Sequence, residues 1–184
     1  MKKIILIAAA ALVSLSASAQ KFAHVNFNEL VMLMPAADSA RAQIAASQQE
    51  AQDTYKSMTD EFQVKYQQYQ QKSSTWTPAI RESKEKELQD IQTRIQDFDQ
   101  SIQQELQQQQ QQLMAPIQQK AIAAVEKLAK EGGYIYVFEK SSMLYVDENQ
   151  SVDLTPAARK ALNIPDGRTL ESLQQELQAQ SQKQ

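Results

Sequence analysis

Cysteine is missing from all 184 residues. Its absence excludes disulfides, thiol catalysis and thiolate metal sites, and also the lipid-bearing cysteine of a bacterial lipoprotein. Such a chain must be held by packing or by assembly. Glycine occurs only at Gly132, Gly133 and Gly167. So little glycine leaves few tight turns and favours long helices. His24 is the only histidine. A lone histidine on a strand is structural or exposed far more often than it is a ligand, and no His–acid cluster exists to bind zinc. There is no glycine-rich phosphate loop and no Gly-x-Ser-x-Gly elbow. Asp60, Glu61, Glu82, Glu85 and Glu87 fall on helical stretches, where ion pairs with Lys and Arg in solvent are the default. Hydrolase, kinase and metalloenzyme chemistry all lack a site. The chain reads as a non-enzyme, with no cofactor and no metal.

Long apolar runs are equally scarce, and the single one is at the start. Lys2 and Lys3 precede an apolar stretch from Ile4 to Leu15, and Ala17-Ser18-Ala19 follows. A basic start, an apolar core too short to span a bilayer and small residues at the end describe a secretory signal peptide. The reading is a signal peptide over 1–19, cleavage before Gln20 and export to the periplasm. No second apolar run is present to anchor the mature chain in a membrane. Lys2 and Lys3 are the only charges before Gln20, so their removal takes the formal charge from −3 to −5. An acidic chain is a poor nucleic-acid binder.

What remains is organised by helical spacing. Phe22–Phe27 alternates as a short strand, with Phe22, His24 and Asn26 on one face and Ala23, Val25 and Phe27 on the other. Asn26 with Glu29 resembles a capping box opening a short helix to Met34, and Pro35 kinks or restarts it. From about Ala37 to Lys72 neither glycine nor proline occurs. Ile44, Ala51, Tyr55, Met58, Phe62, Tyr66 and Tyr69 there recur at steps of one helix face. Residues 73–78 break the pattern, with Thr77 and Pro78 suited to start a new helix. Its stripe runs from Leu88 to Leu128 and stops at Gly132-Gly133, where a left-handed cap is easy. Folding back at the turn matches the two stripes into an antiparallel coiled-coil hairpin over 37–131, with arms on the order of 50–80 Å. Its seam would hold Tyr55, Phe62, Leu88, Ile91, Ile95, Phe98 and Ile102. The glutamine run 107–112 keeps the seven-residue step from Leu106 to Leu113, which makes it a solvated helix face.

Beyond the glycines, Tyr134–Phe138 and Met143–Val146 read as strands, with a turn at 139–142. Thr155 with Pro156 starts a short helix that Pro165 ends. The segment 166–184 is a polar tail in which Leu170, Leu173 and Leu177 suit one or two amphipathic turns; a frayed end fits equally. The domain plan is therefore a body from 20–36 and 132–165, a hairpin between, and the tail. The fold class is mainly α with a small β part. Three short strands are marginal alone, and a narrow seam supplies no globular core. Strands from sister chains would remove the open edges, so an oligomer is expected on physical grounds.

The order of these elements resembles the Skp/OmpH family of periplasmic chaperones across about Lys21–Leu162. The residues that carry the resemblance are Val25-Asn26 after the signal peptide, Pro116 and Ile117 near the end of the second arm, the segments Tyr134–Phe138 and Met143–Val146, and Asp153-Leu154-Thr155. The resemblance implies a trimer with a small β-barrel body and three helical tentacles around a cavity. Val25, Phe27, Ile135, Val137, Leu144 and Val146 would then belong to the oligomeric body. It also implies a function: holding unfolded outer-membrane proteins without ATP. Client contacts would fall on apolar residues off the seam, with Met58, Val64 and Trp76 the candidates; the spacing of Met58 also suits the seam itself. The glutamine-rich, acidic arms depart from the basic members of the family and argue against strong attraction to acidic clients, lipopolysaccharide or anionic lipid. A structural cell-envelope protein and a single-partner adaptor are the competing readings.

Overall fold

The computed structural model describes residues 21–182; the expected signal peptide lies outside the described residues. The fold is mainly helical with a few short strands. It divides into two compact units. One comprises residues up to Met34 and from Gln118 onward, the other Pro35–Ile117.

The first unit is built around β1 (Phe22–Val25), the middle strand of a three-stranded open sheet in the order β2-β1-β3. β2 (Tyr136–Glu139) and β3 (Ser151–Asp153) both pair parallel to β1, with Phe22 opposite Tyr136 on one side and Ser151 on the other. A central strand of a parallel sheet is covered on both faces. Accordingly Ala23, His24 and Val25 are all buried, although their side chains alternate.

Two expectations are corrected here. Met143–Val146 is not a strand, and the two later strands do not form a hairpin. The chain leaves β2 through a single tight turn at Lys140–Ser142 and crosses to the far side of β1 before pairing as Ser151–Asp153. The short apolar run at 143–146 imitates a strand. Pairing is decided instead by hydrogen bonds at 151–155, where the Leu154 N–H reaches the His24 carbonyl at 2.8 Å. Leu144 is left fully exposed and Val146 half-buried, off the sheet.

Helix α1 (Phe27–Leu33) starts at Asn26, whose side chain accepts from the Glu29 N–H at 3.1 Å. The reciprocal half of the box differs from the usual form. The Asn26 amide group holds the Glu29 carboxylate, while the Asn26 N–H donates to Thr155 Oγ1 at 2.9 Å. The Phe27 N–H donates to Glu139 at 2.7 Å. Donors that a helix start leaves open are thus satisfied by α4 (Thr155–Ala161) and β2. Met34 is extended, as a residue before proline must be, and Pro35 opens the next helix. Leu30, Leu33 and Met34 are fully buried, and α1 packs against both α4 and α5 (Leu170–Ser181). Residues Leu170–Ser181 therefore form a helix with Leu173 buried, capped by a reciprocal Thr169–Ser172 pair.

The second unit holds α2 (Pro35–Lys72) and the first part of α3 (Pro78–Gly132), joined by a short turn at Ser73–Thr75. Thr77 caps α3 and Pro78 is its first residue. Side-chain pairs link Tyr69 with Glu85, Lys65 with Glu87, Glu61 with Arg94 and Ser47 with Gln109. Later positions on one helix meet earlier ones on the other, so the two run antiparallel. Helix α3 ends where Gly133 adopts φ +67° and the Tyr134 N–H returns to the Ala129 carbonyl at 3.0 Å. That left-handed residue is what glycine supplies at a helix end.

Candidate functional site

No cluster of three or more His, Asp or Glu that would hold a metal occurs among the described residues. No helix there is long and apolar enough to cross a membrane. The candidates are surfaces: the sheet in the first unit and the helix faces in the second.

β2 and β3 are both edge strands, and each leaves a row of backbone groups open. Side chains two apart share a face, so Tyr136 and Phe138 lie on the side of Phe22 and His24. Phe22 stacks on Tyr136 with centroids 6.4 Å apart, and Tyr136 meets Phe138 at 5.9 Å. Tyr136 is nevertheless 60% exposed. On the other face Val25, Phe27 and Val137 line an apolar cavity of about 480 Å³ with Ile122, Val125 and Ala129 of α3. Ile135 lies just before β2, half exposed, its N–H donating to the Lys21 carbonyl. Of the six residues expected in an oligomeric body, Val25, Phe27 and Val137 thus share one cavity. Ile135 stands at the strand entrance, and Leu144 and Val146 lie on the connection between the strands.

Sequence reasoning missed the polar link that fixes β3. His24 is buried, with Nδ1 2.8 Å from Ser151 Oγ and Nε2 3.6 Å from Asp153. Burial pushes the Asp153 carboxyl up. Hydrogen bonds from the Thr155 hydroxyl and N–H, with His24 and Lys140 nearby, outweigh it and hold the group below the usual carboxylate range. A second missed link is Arg159, which pairs with Glu29 and donates to the carbonyls of Pro165 and Arg168. It ties α1, α4 and the approach to α5 together. Its partner lies 130 positions away, so no local pattern announced it.

In the second unit, the expected seam is covered to different degrees. Ile91 is buried; Phe62, Leu88, Ile95, Phe98 and Ile102 are half-buried; Tyr55 is the most exposed, at 43%. Two helices, each with one narrow apolar stripe, lack the surface to enclose more. Phe62 stacks on Tyr66 of its own helix at 5.8 Å. Met58 is half-buried, Val64 is 54% exposed, and Trp76 packs edge-on against Tyr69 at 5.9 Å. Lys65 and Lys84 both donate to Glu87, holding its carboxyl down at about 2.

Long helices and a small open sheet of parallel strands define an α-rich protein whose candidate functional parts are surfaces. The chain belongs to the OmpH-like outer membrane protein family, whose pattern matches residues 21–162. Helix α5 lies beyond that match. The fold is shared with an OmpH-like candidate outer membrane chaperone from Caulobacter crescentus CB15, known from its crystal structure. That similarity has a TM-score of 0.70 at 13% identity, covering 80% of this chain and 86% of the other. No curated protein gives a significant match.

Proposed function

We propose that this protein is an ATP-independent holding chaperone of the periplasm, exported by removal of residues 1–19, that shelters unfolded outer-membrane proteins between its helical arms. The observation that carries this reading is the scatter of exposed apolar side chains, Tyr55, Val64, Tyr66 and Ile80, along polar helices. Unfolded barrel proteins expose alternating apolar residues and aromatic girdles. Many weak contacts on several arms hold such a chain, because each contact raises the effective concentration of the next. Each also breaks readily, so release needs no energy source. Preferential binding of the unfolded state is the thermodynamic content of a holdase.

The body is proposed to be a homotrimer in which open edges of β2 and β3, with Ile135, Tyr136 and Leu144, meet sister copies and close a barrel. The two long helices then act as a coiled-coil tentacle, with Met58, Val64 and Trp76 among the client contacts. The test is dilution of a denatured outer-membrane barrel protein from urea, without nucleotide, while turbidity is followed. The chain from Gln20 onward should keep it soluble at near one trimer per client. Unchanged aggregation in an excess of trimer rejects the proposal.

A further inference from the structure

Charge is segregated along the second unit. Near the turn, acids and bases are mixed and paired: Glu87 with Lys65 and Lys84, and Glu61 with Arg94. Farther from the turn the bases stop. Residues 42–55 carry Glu50 and Asp53, residues 95–117 carry Asp97, Asp99 and Glu105, and neither stretch contains a lysine or arginine. No cation among the described residues pairs with any of these five carboxylates. The 2.8 Å hydrogen bond from Gln109 to Ser47 sets the two stretches face to face.

Between them lie two neighbouring cavities of about 400 and 550 Å³. Both are floored by Ala51, Phe98, Ile102 and Leu106. Ala51 is too small to fill the space opposite the isoleucine and leucine, so the stripe is interrupted where the acids are unpaired. Glu50 and Glu105 border one cavity and Asp99 the other. Each opening therefore joins an apolar floor to an uncompensated negative rim.

We propose that this stretch is a docking groove for extended polypeptide segments in which an aromatic or branched aliphatic residue is flanked by lysine or arginine. The apolar side chain enters the cavity and the flanking cation meets Glu50 or Glu105. An acidic segment meets only like charge. This inference rests on the holding-chaperone reading and names the part of a client that the arms select. Exposed ion pairs are individually weak, each changing affinity by a factor of about two to five.

The test uses the chain from Gln20 onward and three labelled peptides, in which phenylalanine alternates with lysine, serine or glutamate. Fluorescence anisotropy should rank them lysine, serine, glutamate, with about fivefold between lysine and serine. The ranking should flatten in the isosteric double variant Glu50→Gln/Glu105→Gln, and at about 1 M salt, where the Debye length is about 3 Å. Ala51→Leu, which fills the floor, should weaken the lysine peptide while helix content is unchanged. Equal affinity for lysine and glutamate peptides overturns the assignment, as does a lysine preference that survives the double variant. Protection of a denatured barrel protein is read on the same preparations. Protection without a peptide ranking refutes the groove alone; a peptide ranking without protection refutes the holding-chaperone reading alone.

Discussion

His24 and Ser151 lie 127 residues apart in sequence and 2.8 Å apart in space, an imidazole nitrogen against a hydroxyl. This contact fastens β3, only three residues long, to the middle strand. Ser151→Ala leaves a buried ring nitrogen without its partner. The expected cost is about 1–2 kcal/mol, read as a lower midpoint in urea. Hydrogen exchange should quicken first at the Leu154 amide, which bonds to His24.

Acid should loosen the pairing of the two long helices. The Glu87 carboxyl is held at about 2 by Lys65 and Lys84, against an ordinary value of 4.5. Lowered in the folded state, it contributes stability that is fully present above pH ~4.5 and is lost as pH falls toward ~2. The group is partly open to solvent, so the contribution stays under about 1 kcal/mol. Glu87→Gln should remove that part of the acid sensitivity between pH 5 and 2, measured by helix content during urea unfolding.

Gly133→Ala should cost about 1 kcal/mol, because φ +67° strains any residue with a β-carbon. Gly132→Ala meets a different obstacle, the Tyr134 ring lying over that position. A ring can turn aside, so the second variant should be less costly where the first is not relieved by any side-chain movement. Thermal unfolding of the two variants side by side checks the order.

These glycines also mark how far the sequence was readable. The long helices were legible because residues 37–72 contain no breaker, and because Thr77-Pro78 and Gly132-Gly133 are unmistakable ends. A strand starting at Phe22 was legible from alternation, but it stops at Val25 because Asn26 caps the helix that Phe27 opens, where alternation carried it to Phe27, and its place in the middle of the sheet was not legible. Four-residue strands carry too little pattern to reveal a partner. Met143–Val146 had the better strand pattern, yet the pairing went to Ser151–Asp153, whose hold on β1 is polar. The Glu29–Arg159 pair was hidden for a similar reason: Glu29 already had a local explanation in the cap of α1. For the tail, Leu173 packing in the first unit decides between the two readings in favour of a helix.

Trp76→Ala removes an edge-to-face contact with Tyr69. Such a contact is worth about 0.5–1.5 kcal/mol beyond area burial, and it sits at the turn, so helix content should be unchanged. Protection of a denatured barrel protein should weaken if the ring also meets clients. Equal protection by both proteins in the aggregation assay removes Trp76 from the client surface while leaving its packing role intact.

The proposed holdase is complete only as an assembly, whose arms together hold an unfolded chain. Light scattering coupled to size-exclusion chromatography measures both at once, on the chain from Gln20 onward alone and after mixing with a urea-denatured outer-membrane barrel protein. A holding trimer gives the mass of three chains alone, and the mass of three chains plus one client in the mixture. A stable compact monomer that leaves the client in the aggregate would contradict it.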